Sequence, residues 1–110
     1  MDNIIKSKKA ARGKIGRLRL HLMLAGIHPE KNKIETLQDA INFLTNYHSL
    51  LSCYASYSEK KQQFVALLTY DTTPKGFALS HTTIFNHAAS PGTALRSVLT
   101  RYLKSLNKFE

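Results

Sequence analysis

Gln63-Phe64-Val65-Ala66-Leu67-Leu68-Thr69-Tyr70, followed by Asp71-Thr72-Thr73-Pro74-Lys75-Gly76 and then by Phe77 to Phe85, decides the fold. The first run is short, aromatic and β-branched, as strands are. Gly76 to Phe85 repeats that character with Phe77, Leu79, Thr82, Thr83, Ile84 and Phe85. Between them stands a turn by composition, rich in Asp, Thr, Pro and Gly. Two adjacent strands joined in this way make an antiparallel hairpin. A lone hairpin is marginal in water, so it must pack on helices or pair with another chain.

Helices are written on both sides of the hairpin. Upstream, Asn32 with Glu35 three residues later reads as a capping box. Ile34, Leu37, Ala40, Ile41, Leu44, Tyr47, Leu51 and Tyr54 then predict one apolar helical face, fraying near Ser56 to Lys61. Further upstream, Ile4, Ala11, Ile15, Leu18 and Leu22 lie on one stripe at helical spacing. A helix is predicted from Gly13 to Ala25, stopped by Gly26 and then Pro29. Downstream, Ser90-Pro91 is a cap followed by proline at the first helical position. Leu95, Val98, Leu99, Tyr102 and Leu106 form the apolar face of that last helix. The expectation is a small single α+β domain, in the order α-α-β-β-α, with one antiparallel hairpin packed on helices. It covers residues 13–110, preceded by a flexible basic arm at 1–12.

Charge is the strongest functional signal. The chain of 110 residues has a formal charge of +9. Its first nineteen residues carry Lys6, Lys8, Lys9, Arg12, Lys14, Arg17 and Arg19 against Asp2 alone. From Arg96 onward, Arg96, Arg101, Lys104 and Lys108 face only Glu110. Between Leu20 and Leu95 five basic and five acidic residues cancel. Charge gathered at two ends, and not interspersed with acids, points to a polyanionic partner. Each neutralised phosphate releases counterions, so clustered cations supply affinity that falls steeply with salt. A basic amphipathic segment also suits an anionic membrane surface, but this one has no Trp or Phe to insert.

Catalytic and metal chemistry have less behind them. His21, His28, His48, His81 and His87 show no paired ligand spacing, and there is no Cys-x-x-Cys. Glu59-Lys60-Lys61 before one strand and Asp71 at its end echo nuclease carboxylates. A metal-free ribonuclease built on His81 or His87 is a further enzyme reading. Of enzyme activities, nuclease has most in its favour, yet the balance is against an enzyme. Cys53, the single cysteine, reads as a small core residue and suits a reducing compartment. No apolar run approaches the ~20 residues of a membrane-spanning helix.

The expected function is a non-enzymatic, cytoplasmic nucleic-acid-binding accessory protein, acting in a host cytoplasm if viral or plasmid-borne. Lys6, Lys8, Lys9, Arg12, Lys14, Arg17 and Arg19 would engage the phosphates of DNA or RNA. Arg101, Lys104 and Lys108 would form a second contact surface, with no cofactor and no metal. Tyr54, Tyr57, Phe64, Tyr70, Phe77 and Phe85 are the rings available to stack on bases, most of them destined for the core. The alternative is a protein-interaction module, an inhibitor or secretion adaptor, docking on an acidic partner. An exposed hairpin edge and the helix faces also suit a homodimer.

Overall fold

The computed structural model describes residues 9–73 and 79–107. The elements run α1 (Leu18–Leu24), α2 (Leu37–Tyr47), β1 (Leu50–Ser58), β2 (Gln63–Asp71), β3 (His81–Ala88) and α3 (Pro91–Asn107). The class is α+β, with helices packed on an antiparallel sheet of order β1-β2-β3. The hairpin read from the sequence is β2–β3, in continuous register from Phe64↔Ala88 to Asp71↔His81. Its turn is closed by Thr72 N–H donating to the Ser80 carbonyl at 3.0 Å. Phe77 and the centre of that turn lie outside the described residues.

The sheet has one strand more than the hairpin. The expected second helix stops at Tyr47, and its anticipated second half is strand β1. Leu51 and Tyr54 fit a helical stripe, but Leu50–Ser58 also accepts strand geometry. Pairing along β2, from Ser52↔Thr69 to Ser58↔Gln63, overrides the local pattern. Asp71 N–H donating to the Ser49 carbonyl at 2.8 Å carries the pairing back to the helix end.

The start of α2 also differs. Lys33 sits at φ 57°, a left-handed conformation that interrupts any helix beginning at Asn32. Asn32 instead donates its side-chain amide to the His28 carbonyl. The cap lies four residues later, where Thr36 Oγ1 accepts from Asp39 N–H at 3.1 Å. Asp39 Oδ2 accepts in return from Thr36 N–H at 3.1 Å. It is still a capping box, shifted to Thr36-x-x-Asp39.

α1 is shorter at its start than predicted and ends where predicted. Gly16 takes φ +53°, so the chain turns before it can wind. At the other end Gly26, at φ +83°, supplies the left-handed residue. Ile27 N–H donates to the Leu22 carbonyl, and Gly26 N–H to the Met23 carbonyl, both at 2.9 Å. That pattern is a Schellman motif, sealed by the two buried side chains Leu22 and Ile27. α3 begins at Pro91, where Ser90 Oγ accepts from Thr93 N–H at 3.3 Å.

One core holds the elements together. α3 lies across all three strands and touches α1, while α2 packs against β1. Ala55, Ala66 and Leu68 of the sheet are buried with Ala94, Leu95, Val98, Leu99 and Tyr102 of α3. Alanines at opposed positions Ala55↔Ala66 let the helix approach the sheet closely. Tyr102 stands edge-on to Tyr70, ring centroids 5.2 Å apart, and its hydroxyl lies 2.9 Å from Ser49 Oγ. Burial holds the Tyr102 phenol above its ordinary pKa. Among the described residues no helix is long and apolar enough to cross a membrane.

Candidate nucleic-acid interface

The basic N-terminal segment is tied down by its apolar positions. Residues 9–11 form a helical turn, and Ala11, only 7 % exposed, joins the core with Ile15 and Leu18. Backbone bonds then stitch the segment to the chain ahead of α2. Leu37 N–H donates to the Gly13 carbonyl at 2.9 Å, Ile15 N–H to the Glu35 carbonyl at 3.1 Å, and Lys14 pairs with Thr36 as an isolated bridge. Gly13 lets the chain turn tightly after residues 9–11, since a Cβ there would lie 3.0 Å from the Ala10 carbonyl oxygen. With Ala11, Ile15 and Leu18 turned inward, Lys9, Arg12, Lys14 and Arg17 are all left exposed at the surface.

Arg19 behaves differently from those four. Its guanidinium pairs with Glu30, the one ion pair among the described residues. Lys14 and Arg19 border an open cleft of about 620 Å³ together with Lys33, Glu30 and Glu35. Two carboxylates among three cations make that cleft electrically mixed. The outward cations Lys9, Arg12 and Arg17 do not line it. Lys6 and Lys8 lie outside the described residues.

The C-terminal cations split between two sides of α3. Arg96, absent from the expected contact residues, donates to the Lys14 carbonyl at 3.2 Å. Arg101 donates to the Phe85 carbonyl of β3 at 3.1 Å. Five residues apart on one helix, they leave it roughly 140° apart. Arg96 therefore braces the basic segment and Arg101 serves the other flank, while the exposed Lys104 leaves the helix between them, roughly 80° from Arg96 and roughly 60° from Arg101. The structure brings Arg96 to Lys14 and Arg101 to β3. No sequence signal pairs Arg96 with Lys14, because 82 residues separate them. Lys108 lies outside the described residues.

The candidates for catalysis are dispersed. Glu59 stands in the turn before β2 and Asp71 at its far end, and nine strand residues set them roughly 27 Å apart. Carboxylates that far apart cannot share one metal ion. The Asp71 carboxyl is held below its ordinary pKa, first by hydrogen bonds from Thr73 and to a lesser degree by the charge of His81. Cys53 is on strand β1, not on a helix, and packs against the core. Burial pushes its thiol up to about 12, which makes it a poor nucleophile near neutrality. Among the described residues no three His, Cys, Asp or Glu side chains gather as a metal site.

The rings divide by sheet face. Phe64 is buried and Tyr57 and Tyr70 are half-buried, whereas Tyr54 and Phe85 are exposed. No protein-family model matches the chain, and no curated protein or solved structure matches it either.

Proposed function

We propose that this protein is a small, non-enzymatic nucleic-acid-binding accessory protein that holds phosphates with its N-terminal basic segment. One observation carries the reading. Lys9, Arg12, Lys14 and Arg17 reach the surface from a segment whose apolar side chains are locked in the core, and none of them forms an ion pair among the described residues. A solubility tail has no need of such anchoring. An anchored segment keeps its charges at fixed spacing, which lowers the entropy cost of gripping a polyanion. Arg101 and Lys104 add a second, separate set of contacts.

Deletion of residues 1–19 is a poor test, because it would also remove Ala11, Ile15 and Leu18 from the core. Charge removal is cleaner. Replacing Lys9, Arg12, Lys14 and Arg17 together by Ala is expected to weaken binding to DNA or RNA oligonucleotides. It should also flatten the log-log salt dependence by about 0.7–0.9 for each phosphate that is no longer neutralised. Fluorescence anisotropy across a salt series measures both quantities. Equal affinity and equal slope in the variant would overturn the proposal. A protein partner captured from nuclease-treated lysate, in the absence of any oligonucleotide binding, would favour the interaction-module reading instead.

A further inference from the structure

The sheet has one face under α3 and one face left bare by the described residues. Residues opposite one another in antiparallel strands share a face. Cys53–Leu68–Ile84 and Ala55–Ala66–Asn86 are the rows turned toward the helices. The alternate rows are Ser52–Thr69–Thr83, Tyr54–Leu67–Phe85 and Ser56–Val65–His87. Tyr54 and Phe85 remain 55 % and 58 % exposed, so no described element covers them. Not one of these nine positions carries a formal charge, in a protein whose net charge is +9.

The chemistry of the bare face is aromatic in the middle and hydroxyl-rich at the side. Tyr54 and Phe85 flank Leu67 in one row, two strand spacings or roughly 10 Å apart. The His87 ring lies edge-on to Phe85 with centroids 6.1 Å apart, extending the ring surface along β3. In the neighbouring row the hydroxyls of Thr69 and Thr83 meet at 3.1 Å, donors and acceptors in reach of a base edge. Cations stand at the rim. Lys60 and Lys61 occupy the β1–β2 turn. Arg101 spends one N–H on the Phe85 carbonyl, and its side chain remains exposed with further donors free for a phosphate.

We propose that this bare sheet face binds unpaired nucleotides, with bases stacked on Tyr54 and Phe85 and phosphates met at the rim by Lys60, Lys61 and Arg101. The inference rests on the nucleic-acid reading above and narrows it to single strands. Charge complementarity selects the occupant. Two copies closing face to face would bring together two molecules of +9, whereas a polyanion is attracted to the same rim. Among polyanions, a duplex hides the flat faces of its bases, and a single strand offers them together with its phosphates.

The test uses the full chain with a labelled oligothymidylate and a duplex of equal length, measured by anisotropy. The single strand is expected to bind more tightly than the duplex. Tyr54→Ala and Phe85→Ala should each weaken single-strand binding about ten-fold or more and leave duplex binding unchanged. Tyr54→Phe, which keeps the ring, should bind like the parent. Both rings are exposed, so circular dichroism and thermal melting of the variants should match the parent. Single-strand binding that is indifferent to both alanine variants overturns the inference but not the phosphate-binding role. A dimer that Phe85→Ala dissociates in sedimentation, with oligonucleotide binding unaltered, overturns it in favour of a second copy on this face. No binding to either oligonucleotide would sink the inference and the functional reading together.

Discussion

At the scale of single residues, the clearest determinant is Asp39. Its carboxylate accepts N–H bonds from Glu35 and Thr36, both at 3.1 Å, and closes the capping box of α2. Those two backbone donors hold its pKa below the ordinary value of 3.8, with the Glu35 bond contributing most. A depressed native pKa means that the unfolded chain takes up the proton first as acid is added. The stabilisation is therefore complete above the ordinary value and is lost as pH falls through the lower native one. Asp39→Asn should cost about 0.3–1 kcal/mol near neutrality, the scale of a carboxylate in the first turn of a helix. The gap between variant and parent should close in acid, once the pH lies below the lowered native value. Urea unfolding at the two pH values checks this, and a gap that persists in acid would refute the electrostatic account of the cap.

At the scale of elements, the contact that matters most for the site is between α3 and the N-terminal segment. Arg96 reaches the Lys14 carbonyl, and the same segment is hydrogen-bonded to residues 35 and 37. Arg96→Ala should cost about 1 kcal/mol, the scale of one hydrogen bond from a charged donor in a partly exposed place. Amide exchange should quicken at Ile15 and Leu37, whose N–H groups make the bridge, while β2 keeps its protection. Unchanged exchange at those two amides would show that the backbone bonds alone hold the cations in place. In β1 long-range pairing decides as well. Leu51 and Tyr54 sit three residues apart, a spacing that fits a helical stripe, and only the pairing of their segment with β2 makes it a strand, with Leu51 at the register shift between Leu50 and Ser52.

For the whole molecule, stability and charge are handled by different parts. Leu68 is fully buried, opposite Cys53 on one side and Ile84 on the other, in the core shared with α3. Leu68→Ala should cost about 2–5 kcal/mol. Domains of this kind have only about 5–15 kcal/mol in all, so one such cavity removes a large fraction. Urea unfolding followed by circular dichroism and by tyrosine fluorescence should shift together, as one cooperative core requires. The charged positions sit outside this core. Arg96 turns to the N-terminal segment and Arg101 to β3, on two sides of α3.

Local signals were enough for much of the fold. The β2–β3 hairpin, the stop at Gly26 and the start at Ser90-Pro91 each depend on neighbours within a few residues. Strand composition, a left-handed glycine and a proline after a cap act without any distant partner. The sequence by itself also determined that cations gather at both ends. Only tertiary structure decided that Ala11, Ile15 and Leu18 pin the basic segment, that Arg19 is taken by Glu30, and that Tyr54 and Phe85 stay outside while Phe64 goes in. Those outcomes depend on which face of a strand meets a helix far along the chain. A shift of one residue in pairing would have reversed every one of those rings.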